Sequence, residues 1–135
     1  MRIETQICSI NLARKLKDIG VDQHSLLWYV YDRRYNATFI EHKYPVFSWK
    51  HDDGCVTNVN GHEVEYFEIV SAFNVAELGF LLPASCDSTR RDKNDWTARY
   101  FPKDDLVRNS FGETEADARA KLLIFLIEAK IWKPE

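Results

Sequence analysis

The sequence predicts an α+β domain: a mostly antiparallel sheet of about five strands, a long C-terminal helix packed across it, and two short helices. Three observations lead there. Runs rich in aromatic and β-branched residues occupy the middle of the chain. An Asn60-Gly61 pair separates two of those runs. The stretch from Thr114 to Ile131 carries a wide apolar stripe at helical spacing.

The elements follow in order. Ser9 precedes a short helix in which Leu12, Leu16 and Ile19 share one face. Gly20 suits the left-handed position after it, and Val21 closes over the last turn as in a Schellman motif. Leu26–Asp32 reads as a strand, as do Ala37–His42 and Val46–Trp49, with Pro45 marking an edge or a bend. Asn60-Gly61 between Cys55–Val59 and His62–Ile69 specifies a type I′ hairpin in which Val59 faces His62, Thr57 faces Val64 and Cys55 faces Tyr66. Those six side chains share one face, the expected core side. Asn74 caps a second helix, Glu77 completes a capping box, and Pro83 stops it. Residues 84–94 are polar and read as a loop. Asp95–Phe101 alternates like a strand, and Pro102–Gly112 reads as a second loop.

On the final helix, Arg119 falls in the middle of the apolar face, among Leu122, Leu123 and Leu126. Asp117, Lys121 and Glu128 fall opposite. An unpaired guanidinium there carries a large desolvation penalty, so Arg119 requires a carboxylate, carbonyls or a bound anion. Glu115 stands one turn earlier in the favourable acid-then-base order. Alternatively, Arg119 holds a phosphate or carboxylate near the helix N-terminus.

The bulk numbers narrow the classes. With 135 residues, the chain suits a single domain, 1–135, with its own core. A net charge of −3 argues against a dedicated binder of nucleic-acid polymers. Cys8, Cys55 and Cys86 are odd in number and widely spaced, which fits reduced thiols in a cytoplasmic protein. No signal peptide is evident, and the longest apolar stretches are too short to span a membrane.

Three stretches carry a resemblance. They are Cys8-Ser9-Ile10-Asn11-Leu12-Ala13-Arg14-Lys15-Leu16-Lys17, Ser71-Ala72-Phe73-Asn74-Val75-Ala76-Glu77-Leu78-Gly79 with Leu82-Pro83, and Thr114-Glu115-Ala116-Asp117-Ala118-Arg119-Ala120-Lys121-Leu122-Leu123-Ile124. Together, in this order, they resemble a family of small uncharacterised proteins encoded by bacteriophages and prophages. The resemblance implies a phage accessory protein of the bacterial cytoplasm, of a kind often non-enzymatic and often directed against host defences.

The expected ligand-binding residues are Arg119, Glu115, Arg99, Trp96, Tyr100, Arg90, Arg91 and Trp49. Basic loops beside aromatics in an acidic protein suit a small phosphorylated ligand better than a polymer. Arg33-Arg34 forms a second basic pair, and Trp28 a further stacking surface. His51, Asp52 and Asp53 with Cys55 and His62 match no standard zinc spacing, and Asp52-Asp53-Gly54 also reads as a plain turn, so no metal is expected. Cys55 and His62 lack an orienting third group for nucleophilic catalysis. The first helix resembles the start of a helix-turn-helix, but a strand follows where the recognition helix belongs. No P-loop, dinucleotide fingerprint, nucleophile elbow or zincin motif occurs.

The leading expectation is a non-enzymatic protein that binds a small anionic, nucleotide-like ligand or a host defence component, with no cofactor. One alternative is a small hydrolase or lyase using His51, Asp52 or Asp53. Another is a structural or protein-interaction module. A homodimer is compatible with each.

Overall fold

The computed structural model describes residues 6–32, 35–42, 49–51, 54–59 and 62–134; between 43 and 67 the description is of strand backbone alone. The elements are α1 (Ile10–Asp18), β1 (Trp28–Asp32), β2 (Ala37–Glu41), β3 (Trp49–His51), β4 (Gly54–Val59), β5 (His62–Ser71), α2 (Val75–Leu81), β6 (Cys86–Asp92), β7 (Asp95–Tyr100), β8 (Arg108–Gly112) and α3 (Glu115–Glu128).

The class is α+β, but the strands form two antiparallel sheets rather than one. The first has the order β2-β1-β5-β4-β3, and the second β6-β7-β8. The second sheet corrects two expectations. Residues 84–94 are not a loop, because Cys86–Asp92 pairs with β7. Pro102–Gly112 is not wholly a loop, because Arg108–Gly112 pairs with the other edge of β7. Both are edge strands whose inward-facing residues are polar or small, Ser88 on one and Arg108, Ser110 and Gly112 on the other, so apolar alternation is missing from them. Pairing with β7, whose Ala98 is fully buried, defines them instead.

The hairpin register agrees with expectation: Val59 pairs with His62, Thr57 with Val64 and Cys55 with Tyr66. The turn residues Asn60 and Gly61, and the core side of that hairpin, lie outside what is described. Strand bounds differ in detail. β1 begins at Trp28, leaving Leu26 exposed. The third strand is Trp49–His51, and residues 46–48 of the expected Val46–Trp49 lie outside the described set.

Helix α3 does not lie across the larger sheet. It packs chiefly on β7 and β8 of the smaller one, with α1 and α2 against it as well. It is therefore a central helix, and its burial covers most of its circumference: Ala116, Ala118, Ala120, Leu122, Leu123, Ile124 and Leu126 are all buried. The solvent face drawn through Asp117, Lys121 and Glu128 holds at Lys121 and Glu128, which are exposed together with Phe125, whereas Asp117 is half-buried. The Asp117 carboxylate accepts the Ser9 backbone N–H at 2.7 Å, so it satisfies an orphan donor ahead of α1. Alanines make the close packing feasible, and Gly112 of β8 sits so near that a Cβ there would lie 2.6 Å from the Ala118 amide nitrogen. The core formed by these contacts includes Leu16, Phe73 and Leu78.

Local chemistry sets the helix ends. Asn74 accepts from the Glu77 N–H at 2.8 Å and Glu77 accepts from the Asn74 N–H at 2.9 Å, a complete capping box. Gly20 has φ 94°, and the Gly20 and Val21 amides donate to Lys17 and Leu16, which is the Schellman closure the sequence predicts. Helix α3 ends at Glu128, short of Ile131, through the same motif. Lys130 donates to Ile127 at 3.0 Å and Ile131 to Leu126 at 2.9 Å. Here the left-handed residue is Lys130, φ 59°.

Candidate functional site

The seven expected ligand residues whose side chains are described do not form one site. Arg119 and Glu115 lie at the junction of α3, α2 and β6. The Arg119 Nη2 donates to Glu115 at 3.1 Å and to the Ser88 hydroxyl at 3.0 Å. Its Nε donates to the same hydroxyl at 3.1 Å, and its Nη1 donates to the Val75 carbonyl at 3.1 Å. Ser88 in turn donates to Glu115. A Cβ on Gly79 would lie 2.6 Å from Nη1, so glycine makes room for the guanidinium against α2. Four donor contacts within the fold leave the planar fork largely committed, and the arrangement fastens three elements together.

The remaining residues are dispersed. Trp96 and Tyr100 pack on the core side of the smaller sheet. Arg99 alternates to the other face, where it pairs with Asp87 through two bonds of 3.1 Å and stacks over Phe101 at 4.8 Å. Arg90 and Arg91 are exposed on β6, with Arg91 3.8 Å from Asp95. The side chains of Trp49, His51, Cys55 and His62, together with Asp52, Asp53 and Arg33-Arg34, lie outside the described set. Among the described residues, no group of three His, Cys, Asp or Glu side chains comes together as metal ligands.

The two described thiols are poor nucleophiles. Burial, with Asp117 nearby, pushes the Cys8 thiol up to about 12. Burial also raises Cys86 to about 11, against a partly opposing pull from Arg119. Both are free cysteines.

Among the described residues, a concave site lies elsewhere, where the C-terminal ends of α1, α2 and α3 converge. A cleft of about 420 Å³ is floored by Ile19, Val21, Leu81 and Ile127, and Lys130, Lys133 and Asp22 also line it. This volume falls within the usual range for small-ligand sites, and so does an apolar lining with a few polar groups. A smaller cleft of about 250 Å³ adjoins it, sharing Asp22 and Leu81 and adding His24, Phe73, Glu77 and Phe80. Trp132 braces the shared wall by donating its indole N–H to the Leu81 carbonyl at 2.7 Å.

Lys130 is the unusual member of this lining. The fold uses the Schellman closure twice beside the cleft, once with glycine at Gly20 and once with lysine. A left-handed lysine carries backbone strain that glycine would avoid, and its side chain lines the cleft. Sequence reasoning missed the cleft because its walls come from segments far apart in the chain. The one local clue is Glu128-Ala129-Lys130-Ile131, a helix end with no glycine or asparagine to take the left-handed position. Among the described residues, no helix is long and apolar enough to cross a membrane. Comparison with protein-family models, with curated proteins and with solved structures gives no match for this chain.

Proposed function

We propose that the chain is a non-enzymatic binding protein that holds a small amphipathic anion in the cleft between the helix ends. The ligand's apolar part rests on Ile19, Val21, Leu81 and Ile127, and its acid group meets Lys130 and Lys133. The observation that carries this reading is Lys130, kept in a left-handed conformation at the wall of an apolar cleft. The resemblance of the three sequence motifs to phage-encoded proteins supplies the proposed setting: an accessory protein of the bacterial cytoplasm, acting by retaining a ligand or engaging a host component. A homodimer is compatible with this setting, since the cleft is built from one chain. The anion site moves away from Arg119 because that guanidinium already has partners in Glu115, Ser88 and Val75.

The test is retention. Purified protein is mixed with mononucleotides, cyclic nucleotides, aryl phosphates and medium-chain carboxylates, then examined by native mass spectrometry. An unchanged, retained anion supports the reading, and Lys130→Glu with Lys133→Glu should abolish its retention. New products would replace a binding protein with an enzyme. Retention unaffected by the double charge reversal would place the ligand elsewhere.

A further inference from the structure

The two adjoining clefts form one groove with a charge gradient. Lys130 and Lys133 stand at one end, Asp22 lies on the shared wall, and Glu77 lies at the other end. Beside the acidic end the surface is apolar: Phe80 is 91% exposed although it lies on a helix, and Leu26 is 70% exposed. Leu26 is held next to α2 by its backbone N–H, which donates to Glu77 at 2.9 Å. Two bulky apolar side chains standing free beside a groove are a feature of recognition surfaces.

A small anion accounts for the lysine end alone. It leaves Asp22 and Phe80 without a role, and Glu77, which accepts the Asn74 and Leu26 backbone N–H groups, still places a negative charge at the far end. The geometry points to an extended polypeptide C-terminus as the ligand of the whole groove. This inference rests on the anion-binding reading above and specifies its ligand class. The terminal carboxylate meets Lys130 and Lys133, and an apolar last residue fills the larger cleft. The chain then runs over Phe80, and a basic side chain shortly upstream meets Asp22 and Glu77. Charge complementarity fixes the direction, because the reversed peptide would set its carboxylate against two carboxylates.

The experiment is a residue-resolved NMR titration of the full chain with the hexapeptide Gly-Ser-Lys-Gly-Leu-Leu bearing a free carboxylate. Two controls are its C-terminal amide and the same peptide with glutamate in place of lysine. Octanoate is the small-anion control. The free-acid peptide should shift amides at both ends of the groove, His24 and Phe80 as well as Lys130. The amide and the glutamate peptide should each bind at least about tenfold more weakly, the loss expected when one charge-assisted contact is removed. Phe80→Ser, a change at an exposed position, should weaken the peptide and leave octanoate unaffected. Octanoate bound at Lys130 with no peptide binding would overturn the peptide inference and leave the anion reading standing. Equal binding of acid and amide peptides would also overturn it. Neither probe binding at the groove would overturn both.

Discussion

The sharpest prediction concerns Lys130, because its strain and its proposed role separate cleanly. Two substitutions, Lys130→Ala and Lys130→Gly, remove the same side chain and the same charge near the α3 C-terminus. Any helix-dipole contribution is therefore lost equally and cancels in their difference. Alanine inherits the left-handed backbone at φ 59°, whereas glycine adopts it freely. The strain of an L-residue in this region is about 1–2 kcal/mol. Glycine gives back about 0.5–1 kcal/mol through its more disordered unfolded chain. The glycine variant should therefore be more stable than the alanine variant by about 0.5–1 kcal/mol. Urea unfolding of both variants in one buffer, with a common slope, resolves that difference. Both variants should bind the anion more weakly than wild type, so the glycine variant trades binding for stability. An alanine variant as stable as the glycine variant would refute the strain argument, since the closing bonds to Ile127 and Leu126 would then be forming without it.

Further outcomes follow from the Arg119 junction and the thiols. Arg119→Ala should destabilise the protein by about 2–3 kcal/mol, between the exposed and fully buried cases, because Arg119 and Glu115 retain 23% and 25% side-chain exposure; a thermal melt within a degree of wild type would contradict this. Gly79→Ala should also destabilise, by about 1–3 kcal/mol, because the added methyl collides with the guanidinium. Combined with Arg119→Ala, the same substitution should become stabilising by about 0.5–1 kcal/mol, the ordinary helical preference; chemical unfolding of the four proteins checks the reversal of sign. Cys8 and Cys86 are raised above their ordinary 9.0, so the fold favours their protonated forms. Their stabilising contribution is whole below pH 9 and is lost as pH climbs through about 11 and about 12. Urea midpoints should fall between pH 8 and 10.5, and Cys8→Ala, weaker throughout, should show the shallower fall.

Local features were legible in the sequence where one short segment contains both partners. Gly20 and Val21 close α1, Asn74 and Glu77 cap α2, and Val59 opposite His62 fixes a register, each within a few residues. Features that depend on distant segments were not. The strand Cys86–Asp92 has no apolar rhythm of its own and exists because β7 supplies its partner. The polar side drawn for α3 holds at Lys121 and Glu128 but is narrower than expected, because Asp117 is taken up by Ser9. The need for Arg119 to find partners was readable, and Glu115 was correctly anticipated as one of them. Ser88, Val75 and the space above Gly79 belong to other elements and required the fold. The groove followed the same rule, since α1, α2 and α3 each contribute only an end.

The central place of α3 also sets an order of events during synthesis. The segment before α1 is already tied to residues made much later: Cys8 donates to the Phe73 carbonyl, Ile7 bridges to Asn74, and Ser9 waits for Asp117. The smaller sheet likewise has no inner layer until residues 115–128 arrive. A nascent chain that has reached β8 holds every strand of both sheets but still exposes the faces meant for α3. The last helix is the element that joins the smaller sheet to α1 and α2. A chain ending just before Thr114 would lack the buried residues that α3 brings to the core, and it should be cleaved by proteases faster than the whole chain.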